Sequence, residues 1–570
     1  MFKVFTNSLP TALVRTLLAV LLLALRLSAA AQAPAWQSAR AVAVAVASPL
    51  LSTTPSPVSA TAVDAAGNVY LTGSFVNTVV LGGITLTSLG SRDIFVAKFS
   101  PASNQFMWAQ RAGGTGIDDA ITLAVSGSSV YVAGSSTSSA ADFGPVMLSS
   151  AGSSDGFVAK LTDAGSSAGF AWAQRISGTG SDGATALTVN GNGVYVTGYF
   201  GSPVASFGAI ALTNLGGVNT FVAKLIDAGG TSNFIWAQAG GQASSATALA
   251  VNGSSVYVAG RFGGITSAFG PATLASAGGT DVFVAKLIDA GNSGSFVWAQ
   301  RAGGTSNDET YALAANGPDV YVAGRFSSAT IGFGPVALTR AGPYNGFVTK
   351  LTDGGSTGSF VWAQRIGGNS YNLANALAVR GTSVYVAGYF GSATATFGTT
   401  TLTLTGVYDL YVAKLTDGGS TGSFVWAQRA GGTGTDVSFA AALALSGTNV
   451  YVSGDFNSTA AFGPIALTNP TANTYIGLLA SLTDPTLTAT APGRALAPAQ
   501  LFPNPARHTA TLRLPAGTAP APLTLTDPLG RAVRSYPALA NSEAALDLRG
   551  LPAGLYLLRG AGPAQRLAVE

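Results

Sequence analysis

The 570-residue chain contains no cysteine. Disulfides, thiolate metal sites and cysteine nucleophiles are therefore excluded, and stability must come from the core and from closure of the fold. Histidine is almost missing too, since His508 is the only one. Before it there is no imidazole, which removes Ser-His-Asp arrangements, histidine bases and histidine metal sites from most of the chain. Acids are sparse, and Glu309 is the only glutamate before residue 500. Charged residues make up 9% of the chain, against about 25% in ordinary soluble proteins. Hydroxyls, small residues and backbone must cover the surface instead. With 47% hydrophobic residues the composition is still that of a folded chain.

Long apolar runs are missing as well. Leu17–Leu25 is the longest near the start, and nine residues ended by Arg26 are too few to cross a bilayer. Lys3 and Arg15 precede it and small residues at Ser28–Ala31 follow, the pattern of a secretory signal over residues 1–31 cleaved after Ala31. No later stretch reaches the length of a membrane span, so the mature chain is expected not to span a membrane. The net charge is only +4, and apart from Lys3 the lysines are Lys98, Lys160, Lys224, Lys286, Lys350 and Lys414. These are evenly spaced and form no basic patch, which argues against nucleic-acid binding.

What is present is a beat. The tryptophans are Trp36, Trp108, Trp172, Trp236, Trp298, Trp362 and Trp426, with intervals of 72, 64, 64, 62, 64 and 64 residues. One unit copied along the chain explains this. In the copy from Trp362 to Trp426, short β-branched and aromatic runs lie at Phe360–Arg365, Ala376–Val379, Val384–Gly388 and Leu410–Leu415. Gly, Asp, Asn and Ser bound them, and no stretch has a sustained helical period. A longer polar stretch holding Phe397, Gly398 and Leu402 reads as a loop. Four strands repeated seven times point to a seven-bladed β-propeller over residues 32–484. A β-solenoid is the competing architecture, but its coils are usually much shorter. The repeat region opens on the Phe360–Arg365 type of strand at Trp36 and ends on the Leu410–Leu415 type at Leu478–Leu482. The first segment is therefore expected to pair with the last and close the ring.

The recurring pattern is an alanine/valine strand, then Gly-x-x-Val-Tyr-Val-x-Gly as in Gly191–Gly198, then Asp-x-Phe-Val-Ala-Lys-Leu as in Asp281–Leu287. It resembles the SBBP-type bacterial β-propeller repeat over roughly residues 35–484, with Ser481 standing where other units carry lysine. That resemblance implies a propeller and no particular activity.

Beyond Asp484 the beat stops. Residues 485–499 read as a Pro-, Ala- and Thr-rich linker, and 500–570 as a separate small domain of short apolar alternations. Its motifs are Phe502-Pro503-Asn504-Pro505, Asp527-Pro528-Leu529-Gly530-Arg531, Leu551-Pro552-Ala553-Gly554-Leu555-Tyr556 and the terminal Arg566–Val569. They resemble the type A C-terminal sorting domain of the type IX secretion system of Bacteroidota. The resemblance implies a small Ig-like β-sandwich that is recognised by the secretion machinery after Sec-dependent passage to the periplasm. The sorting residues it implies are Pro503, Asn504, Pro505, Asp527, Gly530, Gly554 and Tyr556. The destination would be the outer cell surface or the extracellular space.

Chemistry is thin. Asp118-Asp119 and Asp308-Glu309 are the adjacent acidic pairs before the tail. They could in principle serve glycoside hydrolysis, but read more simply as acids of Gly-rich turns. Thr352–Thr357 faintly resembles the Asp-box of sialidases and reads as an ordinary turn. Asp93, Asp155, Asp281 and Asp409 recur singly, without the clustered oxygens calcium needs, and are expected to bond backbone locally. No metal, no cofactor and no enzymatic activity are expected. Residues present in every copy serve the fold, so those that break the beat are the functional candidates. On loops expected to open on one face these are Tyr199, Arg261, Arg325, Arg340, Tyr344, Tyr389 and Tyr408. Aromatic rings and guanidinium groups can stack on sugars and contact acidic groups. The expectation is a surface or extracellular binding module for glycans or another protein. A carbohydrate-active enzyme and a structural coat are the alternatives.

Overall fold

The computed structural model describes residues 33–45, 57–434, 436–470, 474–487, 500–513, 523–527, 531–537, 543–560 and 562–570. The signal segment 1–31, most of the linker and Gly530 lie outside them. The described residues are strands, turns and one short 3-10 helix at Pro485–Leu487. No helix among them is long and apolar enough to cross a membrane. The chain divides into two compact units, 1–489 and 490–570.

In the larger unit the beat becomes four-stranded antiparallel sheets. The fifth copy shows the pattern: an inner strand Asp308–Asn316, a second strand Asp319–Phe326, a third strand Asn345–Asp353 and an outer strand Gly358–Ile366, hydrogen-bonded in that order. Seven such arrangements are present. The inner strands begin at Val58, Asp118, Asp182, Ser244, Asp308, Asn372 and Ser438, and each packs beside the next. The last returns to the first, closing a propeller-like ring. The third strands are buried on both faces, because each lies between two neighbouring sheets. Seven apolar clusters fill the gaps between sheets, each drawn from two adjacent units. Phe333, Phe347 and Phe360 meet in one of them, with centroids 5.1 and 5.6 Å apart. Burying one such side chain contributes about 1.5–3 kcal/mol.

The seventh sheet is completed by the start of the repeat region. Trp36–Val42 pairs antiparallel with Ile476–Thr483, with Trp36 opposite Leu482 and Ala39 opposite Ala480. The expected closure is therefore present. The polar stretch read as a loop is not one. In every copy it forms a small hairpin, as in Thr394–Phe397 paired with Thr400–Thr403. Strands of three or four residues, the first with two buried positions and the second with none or one, are too short for their alternation to be read as strands. The hairpins also reach backwards. Phe207 pairs with Ile176 and Phe333 with Ala302, so each of these hairpins extends the outer strand of the preceding unit.

A second device crosses each boundary except one. Lys224 donates to Asp289 Oδ2 at 2.6 Å, Tyr195 donates to the same oxygen at 2.6 Å, and Trp236 Nε1 donates to Oδ1 at 3.0 Å. Three side chains of the third unit thus converge on one turn carboxylate of the fourth. The same pairing joins Lys98 to Asp163, Lys160 to Asp227, Lys286 to Asp353, Lys350 to Asp417 and Lys414 to Asp484. Burial alone would raise the Asp289 carboxyl, but the bonds from Lys224, Tyr195 and Trp236 outweigh it and hold it below the usual range. Asp484 is held down to about 2 against its burial by bonds from Thr486, Lys414 and Tyr385. The Tyr131 hydroxyl is pushed up to about 12 by burial and by its bond to Asp227. The turn at Asp353, with the faint Asp-box likeness, is one of these acceptors.

Between the seventh and first units both partners are missing. Ser481 stands at the lysine position and Pro101 at the aspartate position. Across this boundary Thr61 Oγ1 meets Ser453 Oγ and Arg40 lies 3.9 Å over the Phe99 ring, while Ser481 bonds Ser38 within the seventh sheet at 2.7 Å and Trp36 Nε1 reaches the Arg429 carbonyl of the sixth at 3.0 Å.

The tail unit has a three-stranded and a four-stranded antiparallel sheet. One core cluster contains Leu512, Leu525, Leu546, Tyr556 and Leu567.

Candidate functional site

Each inner strand carries a bulge where one residue has no partner on the second strand, as at Thr185, Thr247, Tyr311 and Asn375. A bulge turns its side chain out of the ladder. Here these side chains face a central channel of about 220 Å³, lined mostly by Ala, Leu and Thr. Thr185 and Thr247 donate to carbonyls of the next inner strand, at 2.8 and 2.7 Å. Tyr311 instead points to the rim and donates to Glu309 Oε2 at 2.6 Å.

The rim is formed where second strands end and inner strands begin. Short parallel bridges tie the loop before a third strand to the loop before the next inner strand, at Tyr344–Tyr371 and Tyr408–Val437. Both loop sets therefore open on one face. In the fourth and fifth units this face carries Arg261, Glu309 and Arg325. Arg261 donates to Glu309 Oε1 at 2.8 Å, and Arg325 donates to Oε2 through Nε at 3.0 Å and Nη2 at 2.8 Å. Burial would raise the Glu309 carboxyl, but Tyr311 and the two guanidinium groups hold it low. Glu309 is thus a strand residue locked in a charge triad and not a turn acid. Its neighbour Asp308 accepts from Ser327 N, Ser328 N and Ser328 Oγ, and burial raises its carboxyl.

From the triad a row of rings runs across the fifth, sixth and seventh units. Arg325 lies 4.7 Å over Tyr344. Tyr344 meets Tyr371 at 4.8 Å, and burial, then its neighbour Tyr344, raises the Tyr389 hydroxyl. Tyr389 touches Tyr408 at 5.3 Å and Phe439 at 4.6 Å, and Phe439 stacks with Tyr475 at 6.3 Å. These rings are half-buried, with Tyr371 exposed. At the far end Asp455 is the cross-strand partner of Phe439, and burial pushes its carboxyl up to about 7.

Of the residues singled out from sequence, Arg261, Arg325, Tyr344, Tyr389 and Tyr408 come together in this belt. Tyr199 lies over Gly183 of its own unit, where a Cβ would sit 2.9 Å from its ring. Arg340 turns back to the Pro343 carbonyl at 2.7 Å. Sequence reasoning missed Glu309, Tyr311, Tyr371, Phe439 and Tyr475 as members. Asp455 shares the register of Arg261 and Tyr389, a signal that could have found it.

The recurring single acids bond backbone: Asp281 Oδ2 accepts from Ala277 N at 2.6 Å and Asp409 Oδ2 from Thr405 N at 2.9 Å. They also pair with the recurring arginines, as Asp93 does with Arg111 at 2.8 Å. Among the described residues no group of three or more His, Cys, Asp or Glu could hold a metal ion.

In the tail unit Asn504 grips the last strand. Its Nδ2 donates to the Arg566 carbonyl and its Oδ1 accepts from Ala568 N, both at 2.8 Å. Pro503 and Pro505 flank it. Asp527 accepts from Arg531, Gly554 opens a strand, and Tyr556 donates to the Pro552 carbonyl.

Residues 500–566 match the family of secretion system C-terminal sorting domains. The sorting domain implies export by the type IX machinery to the cell surface or the extracellular space. No curated protein matches the chain. Among solved structures, a fungal alcohol oxidase of the AA5 family, in complex with copper, aligns at 11% identity and a TM-score of 0.38, covering 94% of this chain and 99% of its own. A protein from Lactobacillus plantarum aligns at 11% and 0.38, covering 71% and 98%. The endosialidase of phage phi92 aligns at 9% and 0.36, covering 93% and 87%. Likeness this distant carries no argument about activity.

Proposed function

We propose that the chain is a seven-bladed β-propeller binding module, sent through the Sec route to the periplasm and then outward by its tail, an Ig-like sorting domain. Its ligand site is the rim of the fourth to seventh units. The observation that carries this reading is the unbroken contact from Arg261 through Glu309, Arg325, Tyr344 and Tyr389 to Tyr475. Blades one and two offer Ser74 and Ser135 at the same register, with the neighbouring Arg92 and Asp119 paired to each other at 3.1 Å, and in blade three Tyr199 lies against Gly183 of its own unit. One site per ring fits a recognition protein better than seven equal sites fit a lattice. The resemblance of the repeat to the SBBP type supports the same architecture.

A binding role suits the acids better than hydrolysis does. Glu309 is saturated by two arginines and a tyrosine, which opposes service as a general acid. Incubation with mixed polysaccharides followed by product analysis checks this. Hydrolysis that vanishes in Glu309→Ala would replace the binding reading with an enzymatic one. A glycan array probed with the whole protein tests the reading itself. Selective binding weakened by Tyr389→Ala supports it, and a silent array with folded protein turns the site toward a protein partner. Deleting 500–570 should hold the chain in the periplasm, and unimpaired surface export would overturn the sorting role.

A further inference from the structure

The charges of the triad do not cancel. Arg261 and Arg325 share a single carboxylate, which leaves one positive charge at this end of the rim, in a protein otherwise sparing with ions. The excess is also placed. Glu309 is 10% exposed at its side chain, and both its oxygens are engaged. Arg261 is 48% exposed, with only Nη1 committed to Glu309. Its outer N–H groups therefore face solvent on a guanidinium whose position the buried acid fixes. An oriented guanidinium of this kind recognises carboxylate or sulfate far better than a free one, because less rotamer entropy is lost on binding. Next to it the aromatic row begins, with Tyr344 already under Arg325.

A neutral ligand would use the rings and leave the exposed edge of Arg261 idle. A nucleic acid would need many more cations than one in excess. We propose that this face binds an anionic polysaccharide, with a carboxylate or sulfate of one residue on Arg261 and following sugar rings laid along Tyr371, Tyr389, Tyr408 and Tyr475. The inference rests on the ligand-site reading above and gives it a chemical class. Asp455 sets the polarity: the far end of the row carries an acid, so the strongest anionic contact belongs at the Arg261 end.

The test uses the full chain and four immobilised polymers at about 0.15 M salt, where long-range attraction is largely screened. They are polygalacturonate, the same polymer with its carboxyls reduced to alcohols, dextran sulfate and dextran. Binding to polygalacturonate or to dextran sulfate is expected to exceed that to its neutral counterpart by about ten-fold or more. The preferred polymer distinguishes uronate from sulfate. Arg261→Gln should remove most of that preference, and Tyr408→Ala should weaken binding to both forms of the preferred backbone. Arg380→Gln, the same charge change on a turn between inner and second strands at the opposite face, should leave binding unaltered. Equal binding to charged and neutral polymers would overturn the anionic assignment and keep the glycan site. Anionic binding that survives Arg261→Gln and Tyr408→Ala would be diffuse attraction and would also overturn it. Binding to none of these polymers or to any glycan would remove the glycan reading and this inference together.

Discussion

Lys224 and Asp289 lie 2.6 Å apart across the boundary between the third and fourth units, and the pair is almost wholly shielded from water. Desolvating two such charges is costly, and their attraction only roughly offsets it. Losing one partner is a different matter, because the other stays buried without compensation. Lys224→Met should therefore lower stability by about 3–5 kcal/mol. Lys224→Met with Asp289→Asn should cost much less than the sum of the single changes. Urea unfolding of the four proteins measures this, and additive effects would show that the pair is not coupled.

Acid should loosen the ring. Asp163, Asp227, Asp289, Asp353, Asp417 and Asp484 all have folded carboxyls below their ordinary range. Burial raises each of them, and the Lys and Tyr bonds, joined by Trp at the first five and by Thr486 at Asp484, outweigh it. An unfolded aspartate titrates at about 3.9. The stability these groups supply is complete above that value and is lost as pH falls toward about 2, the folded value of Asp484. Asp182 and Asp308 are raised by burial and act in the opposite sense, so they offset part of the loss. Melting temperatures from pH 7 to pH 2 should fall chiefly below pH 4. A flat profile there would show that the six carboxylates do not stabilise the fold.

The closing seam should open first. It has the Thr61–Ser453 hydroxyl contact and Arg40 on Phe99 in place of the buried ion pair, and its outer strand comes from the far end of the repeat region. Amide exchange in Trp36–Val42 is expected to be faster than in its equivalent Gly358–Ile366, and Trp36→Ala should widen the gap. Equal protection of the two strands would mean that strand pairing alone sets local stability there.

Binding at the rim should depend on pH near neutrality. Asp455, with its carboxyl pushed up to about 7 by burial, is uncharged below that value and anionic above it, while the neighbouring Tyr475 hydroxyl, raised by burial, stays protonated. An anionic ligand laid along the row should bind more weakly as pH rises through about 7. Asp455→Asn should abolish that dependence while leaving the affinity at pH 6 in place. A profile unchanged by the substitution would place Asp455 outside the occupied part of the face.

The strands were legible because their apolar alternation recurs in register, and the closure because the repeat starts and stops at different points of the unit. The hairpins were not, since strands as short as Thr394–Phe397 hold only two inward residues, Ala395 and Phe397, too few for an alternation to stand out. The Lys224–Asp289 pair was half legible. Both members keep the beat, but the partner sits one repeat further on, and only the packing of neighbouring sheets brings them together. The rim was read in part. Arg261, Arg325 and Tyr389 share one register position that sequence can follow, whereas Tyr371, Phe439 and Tyr475 come from other strand ends and loops, which only the ring aligns.

The pairing of each lysine with an aspartate one repeat ahead has a consequence for the history of the chain. Excising Trp172–Ile235 would remove Lys224 together with Asp227. Lys160, which loses Asp227, and Asp289, which loses Lys224, would then meet each other. Gain or loss of a whole copy between Trp108 and Trp426 therefore leaves no stranded charge inside the protein, so that ring size is open to change by duplication or deletion there with the interior chemistry conserved.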